Sequence, residues 1–96
     1  MKVEFTNRAV RDLRNIATHS RHHFGERVAA ALEARFREIA VQLAQAPESG
    51  PDVQQRSGMR VLPLQRYPFK VFYRIIGDTV RIVHVRHTAR RPWTGM

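Results

Sequence analysis

The run Phe69–His87, FKVFYRIIGDTVRIVHVRH, reads as two β-strands folded back on each other. Phe69 to Ile76 is rich in aromatic and β-branched residues, which suit a pleated, half-buried surface. Gly77-Asp78 is a two-residue hairpin signal, because glycine accepts the positive φ that such turns demand. The chain then resumes as a strand from Thr79 or Val80 to His87. Period-two alternation divides the first of these strands into two rows. Phe69, Val71, Tyr73 and Ile75 form the cleaner apolar row and are expected to face the core. Lys70, Phe72, Arg74 and Ile76 form the other, which puts Lys70 and Arg74 on the open face of the sheet.

Upstream, Met59 to Gln65 reads as a further strand, with Pro63 marking an edge position or a bulge. Glu48 to Ser57 holds Gly50 and Pro51 and little that is apolar, so it reads as a loop. Two helices precede it. The first runs from about Arg8 to Phe24, with Thr6 and Asn7 offering N-cap oxygens. Ala9, Leu13, Ile16, Ala17 and Phe24 form its apolar stripe, with Ser20 as a polar member, while Arg8, Arg11, Asp12 and Asn15 lie off it. The second, from Glu26 to Ala46, carries Val28, Leu32, Phe36, Ile39 and Leu43 on its stripe and is stopped by Pro47. Gly25 supplies a tight turn between them, so the pair should pack as an antiparallel hairpin. Lys2 to Phe5 reads as a short opening strand with Val3 and Phe5 on one face. The order β-α-α-β-β-β predicts an α+β fold in one domain over residues 1–96. In it a helical hairpin packs on one face of a mainly antiparallel four-stranded sheet.

Charge is distributed steeply. The formal net charge is +9, but Met1 to Gln55 carries eight Lys or Arg against seven acids, whereas Arg56 to the end carries nine against Asp78 alone. A field of one sign over one region suits an anionic partner. Fifteen of the seventeen cations are Arg, whose planar fork fits phosphate and carboxylate. The absence of cysteine excludes disulfides, thiolate metal sites and a cysteine nucleophile. No apolar run is long enough to span a bilayer and no signal-peptide core opens the chain, so the expectation is a cytoplasmic protein without a membrane partner. No cofactor motif appears, and none is expected.

The residues with chemistry are few. His19, His22 and His23 have helix-compatible metal spacing, but Glu26 is their only close acid, and they read as a solvated helix end rather than a metal site. His84, between Val83 and Val85, reads as structural. His87 is a candidate general base by its intrinsic pKa, yet no acid is evident beside it, since Asp78 sits at the far hairpin tip. Trp93, in the basic ending with Arg90 and Arg91, can stack on a base or anchor in a protein pocket.

In this order and at this length, several weak pieces become jointly informative. FTNRAVRDLRNIA (Phe5 to Ala17), Gly58-Met59-Arg60, the Phe69–His87 hairpin with Tyr73-Arg74 and its Gly-Asp turn, and Arg90-Arg91 together resemble the RelE/ParE superfamily of toxins from bacterial type II toxin–antitoxin systems. The resemblance spans nearly the whole chain. It implies a cognate antitoxin, usually acidic, whose C-terminal segment wraps the toxin. On this chain the implied antitoxin contacts are Leu13, Ile16 and Phe36 on the helices, with Arg60 and Arg74.

The superfamily holds two activities on one fold. RelE-like members cut mRNA in the ribosomal A site, and ParE-like members poison DNA gyrase. Positions where RelE carries lysines fall near Val61 and Pro63, whereas Lys70 and His87 match nuclease features and Trp93 stands near the place of a C-terminal aromatic. The helix-rich front half and the His-then-Arg-Arg ending look more like ParE. Two hypotheses follow. In the first, a non-enzymatic toxin engages gyrase through Arg86, His87, Arg90, Arg91 and Trp93. In the second, a ribosome-dependent endoribonuclease uses Lys70, Arg74 and Arg60 to hold the phosphate and His87 to activate the ribose 2′-hydroxyl.

Overall fold

The computed structural model describes residues 1–88. Its elements are β1 (Lys2–Phe5), α1 (Asn7–Phe24), α2 (Glu26–Gln45), β2 (Arg60–Pro63), β3 (Phe69–Ile76) and β4 (Thr79–His87). They form an α+β fold in which the helical hairpin packs on one four-stranded sheet of order β1-β4-β3-β2. The two chain-order hairpins, β2/β3 and β3/β4, are antiparallel. Pro63 lies in β2, an edge strand, where its missing N–H breaks no ladder bond. β1 closes the other edge by running parallel to β4, with Val3 opposite Val80 and Phe5 opposite Ile82.

Local chemistry explains the joints. Gly77 takes φ +60 at the β3/β4 turn, with Ile76 and Thr79 paired across it. Thr6 caps α1, its hydroxyl oxygen accepting the Ala9 N–H at 3.1 Å. Gly25, at φ +92, ends α1 and begins α2.

The core lies between the hairpin and one sheet face. Ala9, Leu32, Ile39 and Leu43 from the helices meet Val71, Tyr73, Val80, Ile82 and Val85 from the strands. The apolar row expected on β3 is the one that packs there, with Phe69 and Ile75 at its margins. The helical stripes, however, are not buried to their ends. Phe24 is 64% exposed and Val28 41%, because both lie by the Gly25 turn, outside Ser20 and Ala29, the buried positions of each helix nearest that turn.

The stretch 48–57 is irregular but firmly anchored. The Tyr73 hydroxyl donates to the Pro47 carbonyl (2.7 Å) and accepts the Gly50 N–H (2.9 Å). Gly50 is needed there: a Cβ would lie 2.5 Å from the Val61 carbonyl oxygen. Burial raises the Tyr73 phenol pKa above its usual range, partly offset by the hydrogen bond from Gly50. Tyr73 is therefore a structural clamp rather than an acid or a stacking platform.

Candidate functional site

The sheet is irregular at one point that governs everything downstream. β3 and β4 pair Tyr73 with Ile82 and then Phe72 with His84, so Val83 is an extra residue, a β-bulge. Val80 and Ile82 face the helices. Uninterrupted alternation would carry His84 and Arg86 to that side as well. The bulge reverses the phase, so that Val85 enters the core while His84 and Arg86 join Lys70 and Phe72 on the open face.

His87 consequently follows Val85 to the helix side. Its ring meets Phe69 edge-on at 5.2 Å, and Phe69 in turn lies 6.1 Å from Phe36 of α2. Lys70 is the register partner of Arg86 on the opposite face. Arg74 also belongs to the open face and donates to the Ser57 carbonyl at 3.0 Å. Arg60, opposite Tyr73, donates to the Gly50 carbonyl at 2.7 Å and lies 3.7 Å from Asp52, so it ties down the loop. Lys70 and Arg74 thus share a face, while His87 and Arg60 do not stand with them. Arg90, Arg91 and Trp93 lie outside the described residues.

On the open face, Lys70, Phe72, His84 and Arg86 form a hollow of about 400 Å³ with Val61 and the loop residues Val53, Gln54, Gln55 and Arg56. Its floor is a stacked pair: the Phe72 and His84 rings lie 4.4 Å apart at 13°, with the Arg86 guanidinium 5.7 Å from the Phe72 centroid. No acid lines it, and Lys70, Arg56 and Arg86 form no ion pair with an acid among the described residues. His84 is 3% exposed, and its pKa falls from 6.5 to about 4. Burial is the main cause; the positive charges of Arg8, Arg86 and Arg56 add to it, and Asp12 opposes it. His84 is therefore neutral near pH 7.

The helical hairpin carries a second surface of opposite character. A groove of about 640 Å³ runs between α1 and α2 and is lined by Phe5, Val10, Leu13, Ile16, Ala17, Leu32, Phe36 and Val41. Phe5, Val10 and Val41 are more than one-third exposed within it. Arg14, Glu33 and Arg37 stand among the lining residues, and Glu33 is engaged by Arg21 at 3.3 Å, which leaves the polar border positive in character. The groove brings together Leu13, Ile16 and Phe36, but not Arg60 or Arg74. The three histidines of α1 pack on one another, with His19 and His23 centroids 4.2 Å apart.

One pair of contacts escaped sequence reasoning. Asp12, off the apolar stripe, accepts the Val85 N–H at 3.0 Å, and the Thr6 hydroxyl donates to the Val83 carbonyl at 2.7 Å. A polar residue one turn into a helix reads as surface, and only the packing of α1 against β4 reveals these contacts.

This architecture, a capped helical hairpin on a meander closed by a parallel first strand, is that of the RelE/ParE toxins, and solved structures share it. The chromosomal ParDE system of P. aeruginosa matches with a TM-score of 0.80 at 26% identity, covering 91% of this chain and 95% of that one. The RelBE2 toxin–antitoxin complex of Mycobacterium tuberculosis matches at 0.57 and 29% identity, over 90% and 95% of the two chains. The intact E. coli RelBE complex matches at 0.62 and 18% identity, over 94% and 98%, a likeness of fold. No curated protein matches the sequence. The family model for the ParE toxin of the type II toxin–antitoxin system, parDE, matches residues 3–92. The chain belongs to the ParE toxin family.

Proposed function

We propose that this toxin arrests growth by poisoning DNA gyrase and that a cognate antitoxin neutralises it. In this reading residues 1–96 act as a single domain in the cytoplasm, where the target lies. The observation that carries it is the division of the nuclease candidates: Lys70 and Arg74 on one face, His87 against Phe69 on the other, and Arg60 spent on the loop. General base catalysis needs the base within hydrogen-bond reach of the proton it takes, beside the groups that hold the phosphate. A docking role needs no such convergence and tolerates Arg86 on the open face with His87 on the other. Arg86 and His87, with Arg90, Arg91 and Trp93, are the proposed gyrase contacts.

The proposed antitoxin seat is the groove between α1 and α2. Its apolar lining, with Leu13, Ile16 and Phe36, suits the apolar face of an amphipathic helix, and Arg14 and Arg37 suit acidic flanks. Arg60 and Arg74 lie away from the groove and fit a second contact with the same antitoxin.

A supercoiling assay with purified toxin tests the reading. Loss of supercoiling, relieved by the antitoxin, is the expected result. Unimpaired gyrase would overturn it. A second reading, a RelE-like ribosome-dependent endoribonuclease, is favoured by the cation-lined hollow holding Lys70 and Arg86. Primer extension on translated mRNA after induction, showing new 5′ ends, would support that alternative.

A further inference from the structure

We infer that Thr6 and Asp12 are positioning residues for the C-terminal docking strand: from the cap and second turn of α1 they hold the Val83 bulge, which decides that Arg86 stands on the open face and His87 on the helix side. The inference rests on the docking role proposed for that strand. Its geometry begins where β1 ends. Phe5 opposite Ile82 is the last β1/β4 pair, and the Thr6 N–H still reaches the Ile82 carbonyl at 3.0 Å. Beyond it, β4 has no strand on that edge, yet its backbone polar groups still need partners. Thr6 and Asp12 supply them with side chains. The Thr6 hydroxyl donates to the Val83 carbonyl, and an Asp12 carboxylate oxygen accepts the Val85 N–H. The two bonds lie on either side of His84 and fit the bulged chain, in which Val85 has turned inward and is only 6% exposed.

The chemistry of each position is specific. Thr6 works in two directions, accepting from Ala9 to cap the helix and donating to Val83 to hold the bulge. A carboxylate at this position keeps the first role and loses the second, because it has no proton to give. Asp12 only accepts, so an amide can replace it. Without the bulge, plain alternation sends Arg86 toward the apolar core and Val85 out to solvent, exchanging the docking surface for another.

Four variants of the full chain test this: Thr6→Asp and Asp12→Ala break the brace, and Thr6→Ser and Asp12→Asn preserve its donor or acceptor. The expected result for the breaking pair is a folded protein of unchanged helicity. Its Val85 amide exchanges about 10-fold or more faster, its nuclear Overhauser contact between the His87 and Phe69 rings is weakened, and its inhibition of gyrase is reduced. Thr6→Ser and Asp12→Asn restore all three. Val85 protection and the His87–Phe69 contact left at wild-type levels in both breaking variants would overturn the inference. Should the unmodified chain leave gyrase untouched, the docking reading fails by that result, while the exchange and ring-contact measurements still decide the brace. Should Asp12→Ala fail to fold, Thr6→Asp, which retains the helix cap, carries the test.

Discussion

The two surfaces of this toxin lie on opposite sides of one sheet and use opposite physics. The groove on the helical hairpin is apolar, with cations only at its border. The hollow on the open sheet face is floored by aromatic rings and walled by cations that form no ion pair with an acid among the described residues. Burial of apolar area is short-ranged and supplies affinity, while an exposed positive field steers partners from a distance and weakens with salt. A chain that must be held tightly by one partner and still present a charged face to another gains from keeping the two surfaces apart.

The strongest way to break this comparison is to put charge into the groove. Leu13→Glu should weaken antitoxin binding, measured by titration calorimetry, by about 100-fold or more, since the carboxylate must be desolvated in an apolar seat. Val28→Glu, at the exposed hairpin tip, should leave that affinity unchanged. The next largest effect belongs to the core anchor of the loop that walls the hollow. Tyr73→Phe removes the partner of both the Gly50 N–H and the Pro47 carbonyl and should cost about 1–3 kcal/mol in urea unfolding.

A pH series sharpens the contrast further. His84 has a pKa near 4 when folded against 6.5 as a free side chain, so as pH falls the unfolded chain takes up the proton first. Its contribution to stability is therefore complete above pH 6.5 and is lost as pH falls toward 4. Thermal melts should show this decline, and His84→Phe, which keeps the stack on Phe72, should flatten it. A wild-type slope in His84→Phe would mean that other groups carry the effect. The smallest change is expected from Arg86→Ala. It should slow target association by about 10-fold or less at low salt, and the difference should shrink as salt is raised.

Much of this architecture was legible in the sequence, for identifiable reasons. Gly77-Asp78 between two β-rich runs marks a hairpin, and the stripes through Leu13 and Leu32 mark the helices. Pro63 signals an edge. Leu13, Ile16 and Phe36 of the groove sit on those stripes, whereas Val10 and Val41, which line it too, do not. The surface around His87 was not legible. Val80, Ile82, His84 and Arg86 form one alternating row and Arg81, Val83, Val85 and His87 the other, and both are mixtures of apolar and charged residues. No pattern in them shows where the phase changes. The change comes from β4 losing β1 as a neighbour after Ile82, and from two polar side chains of a distant helix taking its place. The parallel partnership of β1 with β4 was equally hidden, because four residues of alternation do not say which edge they will join.

That partnership also sets an order of events during synthesis. β1 leaves the ribosome well before β4 is made, yet each needs the other to complete the sheet. Until β4 emerges, β1 has no strand to join, and the apolar sides of both helices lack the floor they pack on. Contacts so far apart in the chain close slowly. The nascent toxin therefore passes through an interval in which its apolar surfaces are open, and a partner already present can meet it before the fold is complete.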